Sequence, residues 1–215
     1  MEHKDKMQYL IFSILIFTTM LILFVIGAFF TPSFKDFLTG NVVPELIGIC
    51  IELLIIILIF EKWQSNKKHQ KDIVHEKRLR EYLIFFLKYG LSDLPNELKV
   101  GKFFGENYIE NEKEIKNIVN YMSSNKIDAD ILKSMKEHLL IDKSALENLL
   151  EVASTLTDAH FKSWIRIVYF INKLSHTNNN NLKELKSIVI DILQNIKRFD
   201  KASYDNHIYV GAKRP

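Results

Sequence analysis

Glu52 is a carboxylate set in the middle of an apolar run, and that placement is the strongest chemical signal in the chain. The run Val42 to Phe60 is interrupted only by Glu45 near its start and Glu52 near its centre. A carboxylate at the centre of a membrane helix costs roughly 2.5–3.5 kcal/mol on the mildest insertion scales, so it faces a partner or water. Glu45, Gly48 and Glu52 are spaced i, i+3 and i+7 and share one helix face. Glu45 stands near the positive end of the helix dipole and near headgroups, where charge is cheap. Glu52 has neither advantage. Gly48 leaves room on the same face for a close helix neighbour. Two roles stay open for Glu52: a neutral carboxyl bonded within the membrane or across a homo-oligomer, or a lining group in an opened pathway.

The other chemistry-bearing residues form no recognisable site. Seven histidines are present, but His75-Glu76 is followed by Lys77-Arg78-Leu79, without the second histidine that a zinc helix requires. His69 and His75 are six apart and point to different helix faces. No Gly-rich phosphate loop, nucleophile elbow or acidic metal cluster is seen. The single cysteine, Cys50, lies in the apolar run, which excludes a disulfide framework. The expectation is a protein that is not an enzyme and takes neither metal nor cofactor.

The elements that must position Glu52 are two. Tyr9 to Phe30 is an uncharged run, and a bilayer core needs about 20 apolar residues of helix. Val42 to Phe60 is the second span, with Asn41 as its cap and Pro44 at a first-turn position. In an antiparallel hairpin the midpoint of the first span, Thr18 and Thr19, falls at the depth of Glu52. A threonine hydroxyl there can bond the neutral carboxyl, an interaction worth about 1 kcal/mol in membranes. The first run exceeds the 7–15 residues usual for a signal-peptide core, so it is expected to remain as a span.

Charge sets the orientation. Residues 61–80 hold Lys62, Lys67, Lys68, Lys71, Lys77, Arg78 and Arg80 against Glu61, Asp72 and Glu76, an excess of +4 within a chain of net +3. The loop between the spans holds only Lys35 and Asp36, and the N-terminal tail carries Lys4 and Lys6. The positive-inside rule then places both termini in the cytoplasm, with the short loop outside. The basic stretch reads first as a topology signal and a contact for anionic headgroups, each cation worth roughly 1 kcal/mol. A coiled-coil stalk is a further reading, weakened by sparse apolar spacing. Direct nucleic-acid binding is disfavoured, because the charges are mixed in sign and lack interleaved aromatics.

Beyond residue 60 the chain alternates charged and apolar residues at helical spacing, and it is long enough for one compact core. A basic juxtamembrane helix is expected over 61–90, ended by Gly90 and Pro95. The domain 91–203 opens on an irregular aromatic stretch, where Phe103 and Phe104 read as a core plug or as a membrane or ligand contact. Ile115, Ile118, Val119 and Met122 make one stripe, and Ile131, Leu132, Met135 and Leu139 a second. Leu146, Leu149, Leu150 and Ala153 follow Asp142, and Thr157 precedes Phe161, Trp164, Ile165, Val168 and Ile171. The last helix carries Leu182, Leu185, Val189, Ile192 and Ile196, and the tail 204–215 reads as poorly ordered, with local docking open to Ile208-Tyr209-Val210. The fold class is all-α: a two-helix transmembrane hairpin (1–60, spans about 9–30 and 42–60) followed by a cytosolic helical domain.

The string from Asn41 to Trp63, with its Pro44-Glu45-Leu46-Ile47-Gly48-Ile49 opening, resembles the second span of bacterial two-span proteins. The layout over residues 1–80 is similar to two-transmembrane effectors of antiphage defence, of the retron or cyclic-nucleotide-signalling type. That resemblance implies a latent, non-enzymatic effector that oligomerises and permeabilises or disrupts the inner membrane. Two spans cannot enclose a pore, so this function requires a homo-oligomer, with lipids and a cytosolic regulatory protein as partners. The competing reading is a membrane-anchored scaffold whose helical domain recruits a cytosolic partner.

Overall fold

The computed structural model describes residues 16–20, 22, 25, 26, 33, 36, 40, 42–98, 108–124 and 127–209. These residues are helical or turn, with no strand among them. Helix α1 spans Val43–Gly90, α2 Tyr108–Ser123, α3 Ala129–Ile141, α4 Lys143–Asn148, α5 Leu150–Ser154, α6 Asp158–His176 and α7 Leu182–Asp205. A short 3-10 turn, Asn96–Leu98, follows α1. The chain divides into two compact units, Met1–Gln64 and Ser65–Pro215, and the division falls inside α1.

In the first unit, Pro44 is the second residue of α1 and Glu45 lies in its first turn. Proline suits that place because its missing N–H has no intrahelical acceptor there. From Leu46 to Phe60 the large apolar side chains are exposed, from 39% at Leu46 to 65% at Ile59, apart from the half-buried Ile49. α1 is long and apolar enough to cross a membrane. Of the expected first span, Ile16 to Met20, Ile22, Val25 and Ile26 are helical, and the rest lies outside the described residues. Among the described residues α1 is the one helix that meets this length and composition.

The second unit is a helical bundle around a single apolar core. α6 and α7 make its most extensive helix contact, α2 packs on α7, α3 touches both, and α4 and α5 cover α6. The last turns of α1 supply Leu79, Leu83, Ile84, Phe86 and Leu87 to this core. Residues 61–90 are therefore not a separate juxtamembrane element, since their C-terminal half belongs to the fold. Gly90 is the last residue of α1 and packs closely on α3: a Cβ there would sit 2.3 Å from Leu139 Cδ2 and 3.0 Å from Leu139 Cγ, so the leucine would have to shift. Trp164 fills the centre, its indole N–H donating to the Leu146 carbonyl at 3.0 Å, which satisfies the polar atom that its burial strands.

Most of the expected apolar stripes are the buried ones, with instructive exceptions. Ile165 is 44% exposed, while Ile167, not in the expected stripe, is fully buried. The expected third stripe is divided between α4 and α5, with Leu146 and Ala153 buried and Leu149 and Leu150 half-buried. Asn181 caps α7, accepting from the Glu184 N–H at 3.3 Å while its amide donates to the Glu184 carboxylate at 2.8 Å, a reciprocal arrangement like a capping box. Thr157 and Asp142 stand at helix starts, yet neither side chain bonds the helix backbone as a cap. The aromatic pair Phe103 and Phe104 lies outside the described residues.

Of the tail, residues 204–209 are described, and Ile208 and Tyr209 take the local docking that the sequence left open. α7 runs to Asp205, and its end is a Schellman turn: the His207 N–H donates to the Tyr204 carbonyl at 3.1 Å, and the Ile208 N–H to the Ser203 carbonyl at 3.0 Å. His207 takes the left-handed position, φ 56°, that glycine occupies most readily. The turn folds Ile208 into the core at 3% exposure and brings Tyr209 back over the bundle.

Candidate functional site

Two places in the chain carry chemistry, one in each unit. On α1, Glu45, Gly48 and Glu52 are all exposed, and a Cβ added at Gly48 would meet nothing within 4 Å. At about 100° per residue, the shallow apolar groove lined by Leu46, Ile47, Cys50, Ile51 and Leu54 lies on the opposite side of the helix. Thr18 and Thr19 are helical and exposed. Lys62, Lys67, Lys68, Lys71, Lys77 and Arg78 are exposed, with Lys77 3.8 Å from Glu81. Arg80 differs. It is 4% exposed and faces the protein interior, so it is not a membrane-surface cation.

Arg80 is the centre of a buried charge cluster in the second unit. Glu76 and Arg80 are one helical turn apart on α1 and form an ion pair, because i and i+4 residues face the same way. The other branch of the guanidinium donates to Asp200 Oδ1 of α7 at 2.7 Å. The Tyr209 ring lies over the guanidinium, 3.9 Å from its carbon to the ring centroid. The Tyr209 hydroxyl accepts from the amide of Asn111, on α2, at 2.7 Å. Tyr108 joins this edge, stacked on Tyr204 at 4.8 Å and edge-on to Tyr209 at 6.4 Å.

Electrostatically the cluster is out of balance. Two carboxylates share one guanidinium, and Glu76 Oε2, Asp200 Oδ2, Asn111 Oδ1 and Arg80 Nε make no hydrogen bond within the protein. Burial pushes the Asp200 carboxyl up to about 6, against the pull of Arg80 and with a further push from Glu76. Burial by itself lowers Arg80, but Asp200 and Glu76 together outweigh it and hold the guanidinium above its ordinary value. Burial also raises the Tyr209 hydroxyl to about 12. A guanidinium held this way is committed to its carboxylates and is not presented to an incoming phosphate.

His160 adjoins the cluster and is fully buried. Its Nε2 lies 3.0 Å from Ser203 Oγ, and its Nδ1 lies 2.7 Å from Thr157 Oγ1. Ser203 donates its own proton to the Phe199 carbonyl at 3.2 Å. The serine must therefore accept from His160, which places the ring proton on Nε2 and leaves Nδ1 to accept from Thr157. That neutral tautomer agrees with a pKa lowered to about 4 by burial and then by the charge of Arg80. Thr157 is thus spent on the imidazole, which explains why it does not cap α6.

A second histidine group has the residue types of a hydrolase but not the geometry. Ser92 Oγ and Asp93 Oδ2 lie 3.4 and 3.5 Å from the same nitrogen of His138, Nδ1. A nucleophile–base relay needs the serine on one ring nitrogen and the carboxylate on the other. Among the described residues no group of three or more His, Cys, Asp or Glu is placed to hold a metal ion.

Sequence reasoning placed Glu76 and Arg80 in a basic topology and headgroup stretch, left local docking open to Tyr209, and left Asp200, Asn111, His160 and Ser203 unremarked. The signal that could have found the first pair is positional: Glu76 and Arg80 bracket Leu79 at the point where charged residues give way to Leu83, Phe86 and Leu87. Compared with known proteins, the chain matches no protein-family model, no curated protein and no solved structure.

Proposed function

We propose that this protein is a latent inner-membrane effector: the unit Ser65–Pro215 holds the spans silent, and on a cytosolic signal the chain oligomerises and permeabilises the membrane. One observation carries the reading. The exposed apolar segment Leu46–Phe60 and the core residues Leu79–Leu87 belong to one helix, α1. A change in the folded unit that loosens Leu79–Leu87 therefore acts on the helix that bears Glu52. α1 also presents two unlike faces, the carboxylate face with Gly48 and the apolar groove. This supports two helix neighbours in the membrane, one within the hairpin and one from another copy, since small residues permit close helix approach. Both termini are cytoplasmic in this reading, and the exposed cations Lys62 to Arg78 meet anionic headgroups.

Induced expression in bacteria loaded with a membrane-potential dye tests the proposal. Collapse of the potential by the wild-type protein, and its retention in Glu52→Gln cells at equal membrane levels, is the expected result. An unchanged potential under every inducing condition would overturn it.

The scaffold reading has its own support in the aromatic pair Phe85 and Tyr89, about half exposed, with ring centroids 4.3 Å apart on α1. Such exposed rings are recurrent anchors for protein partners. Loss of a co-purifying cytosolic protein in Phe85→Ser, with the membrane potential indifferent to the change, would favour that reading over the effector.

A further inference from the structure

We propose that Glu76, Arg80 and Asp200 form a proton-operated latch, in which one proton taken up by Asp200 tightens the hold of α7 and its Tyr209 hook on α1. The argument begins with charge count. Two carboxylates and one guanidinium, each under 5% exposed, leave a net negative charge in a water-excluded core. A buried charge without a counter-charge is strongly unfavourable, and the system relieves it by taking a proton. The geometry provides the place, because Glu76 Oε2 and Asp200 Oδ2 are the carboxylate oxygens that make no hydrogen bond within the protein. The O–H bond forms on Asp200, whose Oδ2 makes no hydrogen bond within the protein, and the proton comes from solvent.

The groups facing Asp200 all belong to this circuit. α1 presents Glu76 and Arg80, α2 presents Asn111 and Tyr108, and the hook presents Tyr209. His160 of α6 is kept neutral by its burial and by the charge of Arg80. Glu112, Lys197, Lys201 and Asp205 satisfy one another nearer the surface, through Lys197–Glu112 at 2.9 Å and Lys201–Asp205 at 2.7 Å. The sign follows from linkage. Burial raises the Asp200 carboxyl from 3.8 to about 6. Its contribution is therefore complete below 3.8 and is lost as pH rises through about 6. At lower pH the cluster is neutral and closed, and at higher pH it carries a net charge and the hook is held less firmly. The latch acts on α1, the helix that bears the span, so acidification of the compartment around the folded unit favours the closed state.

Hydrogen exchange at the Ile208 and Tyr209 amides, both bonded to the Ser203 carbonyl, reads the hook directly in the full-length protein in detergent. Asp200→Asn mimics the protonated carboxyl and Glu76→Gln removes the second negative charge, and rates are compared with wild type at equal pH so that intrinsic exchange chemistry cancels. At about pH 8 the variants should exchange roughly a hundredfold more slowly than wild type, the factor that about two units of pKa displacement carry; by about pH 5 the gap should have narrowed roughly tenfold. A variant-to-wild-type ratio that does not change with pH, or faster exchange in both variants at the higher pH, overturns the latch. Infrared difference spectra between about pH 8 and about pH 5, wild type minus Asp200→Asn, supply a second reading. A protonated-carboxyl band present in wild type and missing from the variant should remain in that difference, and its absence also overturns the proposal.

Discussion

The guanidinium of Arg80 lies 3.9 Å beneath the centroid of the Tyr209 ring, joining the helix that bears the apolar segment to the last described residue of the chain. Cation–π contacts strengthen as water is removed, and this one is shielded by the bundle on one side and by Tyr108 on the other. The contact exists because the Schellman turn at His207 reverses the chain after α7. Tyr209 is thereby both a lid on a buried ion cluster and the anchor of the C-terminal hook.

Tyr209→Ala should cost about 2–3 kcal/mol of stability in the folded unit, from lost ring burial and the lost cation–π contact. Tyr209→Phe keeps the ring over Arg80 and removes the bond from Asn111, so its cost should be smaller, about 1 kcal/mol. Urea titration of the full-length protein in detergent, followed by Trp164 fluorescence, separates the two. Equal costs would mean that the ring contact contributes nothing.

His160 predicts an acid slope opposite to that of the ion cluster. Its native pKa is lowered from 6.5 to about 4, so the unfolded chain binds the proton first. Stability from this residue is complete above 6.5 and falls as pH drops from 6.5 toward 4. His160→Gln loses the bridge between Thr157 and Ser203, and about 1–3 kcal/mol at neutral pH. The deficit against wild type should shrink steadily as the pH of the melt is lowered. A deficit constant with pH would show that His160 titrates alike in both states.

Gly90→Ala should destabilise the second unit by about 1–3 kcal/mol, because the new methyl group overlaps Leu139 in a filled core. Gly48→Ala meets nothing within 4 Å and should leave the same melt unchanged. The pair is measured by thermal unfolding of the full-length protein. A neutral Gly90→Ala would mean that Leu139 can adopt another rotamer at no cost.

Glu52 is tested by three substitutions at matched membrane levels. Glu52→Gln keeps the size and hydrogen bonding but cannot ionise, and should abolish membrane damage while inserting normally. Glu52→Leu removes a burial cost of roughly 2.5–3.5 kcal/mol, and should insert better yet be inactive. Glu45→Gln should have the smallest effect, because a carboxylate in the first turn of α1 sits where charge is cheap. Full activity in Glu52→Leu would reduce the residue to an incidental one, and tolerance of Gln alone would mark it as a hydrogen-bonding group.

Local pattern determined much of this protein without the fold. The helical period of Leu185, Val189, Ile192 and Ile196 set α7, and the absence of Gly and Pro between Lys62 and Tyr89 set the continuity of α1, because apolar spacing and helix breakers act within a few residues. The apolar run with Glu45 and Glu52 was equally legible, since length and composition alone decide whether a helix can span a bilayer. Only the tertiary structure decided what Arg80 does. In sequence it closes a run of lysines and looks solvated, yet residues from α2, α7 and the tail surround it, and no local pattern reports partners that arrive from distant helices. The same reason hid His160 and the hook: a neutral buried imidazole depends on Ser203 one helix away, and a left-handed turn at His207 lacks the glycine that announces such turns. Sequence spacing decides which face of a helix is wet or dry, but the balance of charge inside a core is settled only when the helices meet.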